Sequence, residues 1–535
     1  MKKTAVLALF LALALLTACA GPAKIPASGT QAPDAAAPPV TGDFVTEDTV
    51  SDFVPAGDTA AESAAPVPVP EPSALFSDRD LDPAYDESKC AFIELKGTSA
   101  ACTSNAVKIS GSTVTIVDEG TYVISGTLTD GMIVVNAEKT DKTQLVLKGA
   151  SITSSTSAAL YILQADKVFL TLESGTENLL ANGGTFTAID ENNIDGAVFS
   201  REDLTINGSG KLTVTSPAGH GIVSKDELTV TGGIFDITCA SHGLAGKDSF
   251  AIREAGFTIA SGKDGIHAEN NDDTTLGFGL IQSGTFSISA EGDGISTAAG
   301  LNIQGGTFSI VTGGGSVNAQ TQTSQFWGSM GGRGGKGGMG GFPFGGGSFG
   351  SIAVPEAAED STSLKGIKAG GDLTITGGTF SMDTADDAVH SNANITVSGG
   401  TFSIASGDDG FHADDTLTVN DGVIDISKSY EGLEGLHVLA SGGKVSLVAS
   451  DDGINAAGGV DSSGTGGVRG GDRFGGMGRP GGMMGGASNG SILISGGDLY
   501  VQASGDGIDA NGTLEITGGH TLLSGLPLGD TVTMD

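Results

Sequence analysis

The sequence predicts an all-β chain wound as a parallel β-helix, and three observations predict it. The stretch Leu373 to Met382 (LTITGGTFSM) returns as Ile395 to Ile404 (ITVSGGTFSI). Each copy runs into an acidic tag, Asp386-Asp387-Ala-Val-His390 and Asp408-Asp409-Gly-Phe-His412, at the same step of 22 residues. Apolar and polar residues alternate between Gly-Gly pairs, the pattern of strands meeting at corners. A unit this short cannot bury its apolar face alone, whereas stacked copies can.

Taken from the N-terminus, Lys2-Lys3, the apolar run Ala5 to Leu16 and the box Leu16-Thr17-Ala18-Cys19 read as a lipoprotein signal peptide over residues 1–19. The run is too short for a permanent span, which needs about 20 residues. Cys19 is the expected lipid anchor. The chain is therefore expected outside the cytoplasm, lipid-anchored to the bacterial membrane or cell surface and touching the membrane through that anchor only. Residues 20–75, rich in Ala and Pro, read as a disordered tether.

Residues 76–200 hold strands of looser period, such as Thr113 to Val117 and Lys167 to Glu173, and are expected to form capping and irregular coils. Residues 201–535 are expected to form regular coils of about 22 residues. The residue before Gly-Φ (Φ apolar) marks each coil: His220, His242, Asp264, Asp293, Gly315, Lys365, Asp387, Asp409, Glu431, Asp452 and Asp506. The longer steps after Asp264, Gly315 and Asp452 mark inserted loops. Two of these are Gly-rich, near residues 319–350 and 458–490. The last coil stops in mid-pattern at Asp535, which reads as a C-terminal truncation.

The net charge of −37 argues against nucleic acid and anionic membrane surfaces as partners. Cys90 and Cys102 are a candidate disulfide, and Cys239 reads as a structural thiol. GxGxxG matches inside the Gly-rich inserts follow from composition, because no strand-to-helix context surrounds them.

Several blocks carry a resemblance. They are Gly120-Thr-Tyr122-Val-Ile-Ser-Gly126, Leu170-Thr-Leu-Glu-Ser-Gly175, Gly221-Ile-Val-Ser-Lys225-Asp226, Gly243-Leu-Ala-Gly246-Lys247-Asp248, Ser429-Tyr430-Glu431-Gly432 and Asp451-Asp452-Gly-Ile-Asn455. From about Cys90 onward the chain resembles the bacterial carbohydrate-binding, pectate-lyase-like right-handed β-helix family. The resemblance implies relatives that bind cellulose or acidic pectic polymers and hold calcium.

Two ladders follow from the repeat. Phe235, Phe257, Phe286, Phe308, Phe380 and Phe402 share one position with Ile424, Val445 and Leu499, so this ladder is expected inside. The acidic ladder comprises Asp264, Asp293, Asp387, Asp409, Glu431, Asp452 and Asp506, with Asp386, Asp408 and Asp451 beside it. Its members would stand about 4.8 Å apart per rung. Such carboxylates must cap turn N–H groups, share protons or be bridged by cations. Hard oxygen clusters suit Ca²⁺, so all ten residues are candidate metal ligands beside the capping reading.

Three positions beyond the anchors, His390, His412 and Asn455 are expected to line a shallow polar trough with Tyr430, either a carbohydrate-binding strip or a solvated face. Zinc is not expected at His390 and His412, which lack further nitrogen or sulfur ligands. Trp327 and Arg333 on the first insert are candidate polymer contacts, or decoration.

The leading functional reading is a monomeric, calcium-stabilised surface lipoprotein that binds acidic pectin-like or cellulosic polysaccharide. A lyase acting on uronates, with Lys247, Arg253, Lys365 or Lys368 as base, and a non-catalytic structural adhesin remain the alternatives. The sequence leans towards no enzyme.

Overall fold

The computed structural model describes residues 68–319, 363–457 and 490–525. All of them lie in the second of two compact units, Ala64–Asp535. Cys19, Trp327, Arg333 and the Gly-rich inserts fall outside the described residues. No helix among the described residues is long and apolar enough to cross a membrane.

Each coil is a run of short strands laid parallel on the coil before it. Ile367–Ala369, Leu373–Ile375 and Thr379–Thr384 make one coil. Leu373 pairs with Ile395, Phe380 with Phe402 and Val389 with Phe411 in the next. The result is a β-helix-like solenoid. Register survives both Gly-rich interruptions, since Phe308 pairs with Phe380 and Val445 with Leu499.

The corner between strands explains the Gly-Gly pair. Gly378 and Gly400 adopt φ of 118° and 105°, a backbone region that L side chains rarely enter. A Cβ on Gly378 would also stand 2.9 Å from the ring of Phe380.

Alternation then sorts the side chains. In Thr379–Thr384, Phe380 and Met382 are buried while Thr379 and Ser381 are exposed. The Phe ladder is interior throughout: successive rings from Phe235 to Phe402 stack with centroids 4.5 to 5.4 Å apart. Ile424, Val445 and Leu499 continue the column. Truncating one of these rings to alanine is expected to cost about 3–5 kcal/mol.

The N-terminal part folds against the coils. Helices Pro72–Leu75 and Asp78–Leu81 flank Phe76, which packs on Ala251 and Leu280. Asp80 is buried, accepting from Thr205 Oγ1 at 2.5 Å and pairing with Lys167 at 3.0 Å. Cys90 and Cys102 do not form the candidate disulfide; both are free thiols, and Cys90 Sγ donates to the Asp86 carbonyl at 3.1 Å.

Candidate functional site

The anchor column forms a seam of inter-coil hydrogen bonds. Asp264 Oδ1 accepts the N–H of Asp293 at 2.8 Å, and Asp293 Oδ1 that of Lys365 at 2.7 Å. Asp387 Oδ1 accepts from Asp409 at 3.0 Å, Asp409 Oδ1 from Glu431 at 3.1 Å, and Asp452 Oδ1 from Asp506 at 2.6 Å. Where the anchor is histidine, Nδ1 takes the carboxylate's place: His220 Nδ1 accepts from His242 N–H at 3.3 Å, and His242 Nδ1 from Asp264 N–H at 3.2 Å. One oxygen of each of these aspartates is therefore committed to capping the next coil.

The glycine after the anchor is there for space. A Cβ on Gly410 would stand 2.5 Å from Ile426 Cδ1 and 2.6 Å from the Gly432 carbonyl.

The second oxygen meets the imidazole three residues on. Asp387 Oδ2 lies 2.9 Å from His390 Nδ1, and Asp409 Oδ2 lies 3.1 Å from His412 Nδ1. This closes the expected trough: His390, His412 and Asn455 are buried, because each folds onto a carboxylate rather than facing outward. Asn455 Nδ2 donates to Glu431 Oε2 at 2.9 Å. Tyr430 is half-buried beside them.

Charge divides the seam into two parts. Lys365 Nζ sits 2.6 Å from Asp387 Oδ2 and 3.4 Å from Asp386 Oδ2, so a buried ammonium neutralises that rung. Asp386, Asp387 and Asp408 converge within 4.8 Å. Burial alone would raise Asp387, but Lys365 and His390 hold it well below the usual carboxylate range. One rung on, burial together with Asp408 and Glu434 pushes Asp409 well above that range. His412 resists the opposite pull of burial because Glu434 and Asp409 surround it; its Nδ1 lies 2.5 Å from Glu434 Oε2. Burial, with Glu434, Asp452 and Asp451 nearby, pushes Glu431 up to about 9. Among the described residues Glu431 Oε1 has no hydrogen-bonding partner.

The remaining predicted ligands are spread out. Asp264 lies between His242 and His267, Asp293 is buried with Lys368 Nζ 3.8 Å away, Asp451 is half-buried and Asp506 is exposed. Burial and the neighbouring Asp264 push Asp293 up to about 6.

The histidine clusters do not suit a transition metal. His390 and His412 stack with centroids 5.0 Å apart and planes 16° from parallel, and His242 and His267 at 4.2 Å and 18°. An ion must lie near the plane of each ligating ring at about 2.0–2.1 Å, and two nearly parallel planes offer no such shared point.

The sequence pattern marks Lys365, His220 and His242 as anchors but does not distinguish a counter-ion or imidazole acceptors among them. Their presence in the anchor column was the available signal.

Known proteins resemble the chain as follows. The family described as "Carbohydrate-binding domain-containing protein" matches residues 110–410 and 395–472. A protein of that description from Acetivibrio thermocellus is 37% identical over 131 residues, 24% of this chain and 46% of the relative. The chain thus spans less than half the length of that relative. A solved structure described as a polysaccharide lyase-like protein from C. thermocellum, in a gadolinium derivative, is 32% identical. It covers 40% of this chain and 87% of its own, with a TM-score of 0.38.

Proposed function

The chain belongs to the family of carbohydrate-binding domain-containing proteins, and from that premise we propose that it binds an acidic, pectin-like polysaccharide with the help of calcium. The observation that carries the calcium reading is Glu431, whose buried Oε1 is left without a hydrogen-bonding partner among the described residues. Glu434, Asp451 and Asp452 are its electrostatic neighbours. Oxygen-only donors of this kind suit Ca²⁺, which takes 6–8 oxygens.

Glu431, Glu434, Asp451 and Asp452 would hold the ion. When bound it would neutralise this end of the seam and offer positive charge to a uronate carboxylate. The buried His390, His412 and Asn455 orient the carboxylates instead of touching polymer. Tyr430, Trp327 and Arg333 are the proposed contacts. Calcium is not proposed beside Asp386 and Asp387, where the Lys365 ammonium already stands, nor at Asp264 between its imidazoles.

Binding rather than cleavage is proposed, because Lys365 is buried in an ion pair and Lys247 is held 2.6 Å from Asp272. A surface lipoprotein anchored through Cys19 is the proposed setting. The coils are proposed to wind right-handed, the hand parallel crossovers take.

Affinity electrophoresis through gels containing polygalacturonate tests this reading. Retardation is expected with calcium and weakens both in chelator and with salt, because screened charge contacts supply much of the attraction. Salt-insensitive retardation in chelator by a neutral glucan alone would overturn it.

A further inference from the structure

The anchor column changes character at its histidine end, where Asp264 joins it to the acid seam. His220, His242 and His267 form a column of stacked imidazoles, with centroids 5.1 and 4.2 Å apart. They line a cavity of about 340 Å³, with Lys225, Lys247 and the loop at Glu269 and Asp272 as its sides. Small-ligand pockets start at about 300 Å³. The loop belongs to the lengthened coil between Asp264 and Asp293. Asn270 pins it, donating to Asp248 Oδ1 at 2.5 Å while accepting from the N–H groups of Asp272 and Asp273.

The backbone fixes how two of these rings can act. His220 Nδ1 and His242 Nδ1 each accept an anchor N–H from the next coil. Asp264 Oδ2 stands 3.3 Å from His242 Nδ1, but it already takes the shorter bond, 2.7 Å, from His267. Burial keeps both rings neutral, pushing His220 down to about 3 and lowering His242. A neutral ring that accepts at Nδ1 carries its proton at Nε2.

Each ring therefore has an Nε2–H donor left for a ligand. The nearest carboxylate oxygen to His220 Nε2, on Asp195, is 3.9 Å away, beyond hydrogen-bond range. Lys225 Nζ, 3.6 Å from Asp195, and Lys247 Nζ, paired with Asp272, add cations at the rim. Two fixed donors with ammonium groups at the same rim want an anionic acceptor.

We propose that this pocket is a hexuronate subsite, in which the sugar carboxylate is held by the Nε2–H groups of His220 and His242 with Lys225 and Lys247 at its edge. The assignment rests on the polysaccharide-binding reading for its ligand class, but it uses none of the acid-seam residues and needs no metal.

The fold supplies a clean variant. Aspartate occupies the same anchor position at Asp264, Asp293, Asp387 and Asp409, where it caps the next coil. His242→Asp therefore keeps the cap while replacing a donor with a carboxylate. The probes are trigalacturonate and its fully methyl-esterified form, followed by calorimetry and by ¹H–¹⁵N spectra of the imidazoles in chelator.

Trigalacturonate is expected to shift the Nε2 signals of His220 and His242, and the ester is expected to leave them in place. His242→Asp and the rim variant Lys247→Gln are each expected to weaken binding by about tenfold or more, the scale of one charge-assisted hydrogen bond. Unmoved imidazole signals, equal binding of acid and ester, or wild-type affinity in both variants would overturn the subsite. Polymer retardation with an unresponsive pocket overturns the subsite alone. A responsive pocket without polymer retardation upholds the subsite and overturns the calcium-dependent reading.

Discussion

The segments Asp386–His390 and Asp408–His412 share a sequence pattern, a register and a hydrogen-bond scheme, yet their charges settle in opposite ways. In both, the anchor Oδ1 caps the next coil and Oδ2 meets the imidazole three residues on. In the first, Asp387 is held low and burial, with Lys365 beside it, keeps His390 below its ordinary range. In the second, Asp409 is pushed up and His412 is held as a cation. The difference comes from one rung away on either side: Lys365 precedes the first copy, whereas Glu434 follows the second. A repeat motif in a solenoid fixes hydrogen bonds locally, and its neighbours decide its charge.

The largest effect is expected from removing the ammonium. Lys365→Met leaves the buried Asp387 without its closest cation and is expected to cost about 3–5 kcal/mol in thermal or denaturant unfolding. Calcium is then expected to restore part of that loss, since Asp386, Asp387 and Asp408 become an all-oxygen group. Unchanged stability would mean that the ion pair does not set the charge of this rung.

The residue after the anchor gives a second contrast. Gly410→Ala drives a methyl against Ile426 and the Gly432 carbonyl, and a loss of about 1–3 kcal/mol is expected from this overpacking. The first copy carries Ala388 at the matching place, fully buried. Ala388→Gly is expected to cost about 1 kcal/mol or less. Equal losses at the two positions would show that the tight approach is not particular to the second copy.

The acid-rich copy should also respond to pH. Glu431, pushed up to about 9 from an ordinary 4.5, keeps its proton in the fold where the unfolded chain has lost it. Folding then takes up a proton. The stability tied to Glu431 is therefore full below 4.5 and falls as pH rises towards 9. Melting in chelator is expected to show that decline, and Glu431→Gln to flatten it. A slope indifferent to the substitution would place the titrating group elsewhere.

Much of this was legible in the sequence, for a physical reason. Identical residues stack in a solenoid, so the Phe ladder, the corner glycines and the recovery of phase after each insert could be read from spacing alone. The closure of the polar trough could not. Whether His390 faces solvent or folds onto Asp387 depends on the free oxygen left after Asp387 has capped Asp409, which only the inter-coil geometry shows. For the same reason Lys365 read as a candidate base until its ammonium was seen between two carboxylates.

The most direct test of the seam's division is the calcium dependence of melting in wild type and in Glu431→Gln. Calcium binds the folded chain, so excess metal is expected to raise the wild-type melting temperature over its value in chelator. Loss of Glu431 is expected to remove most of that rise. Identical wild-type melting in calcium and chelator, or an undiminished rise in Glu431→Gln, would contradict the account.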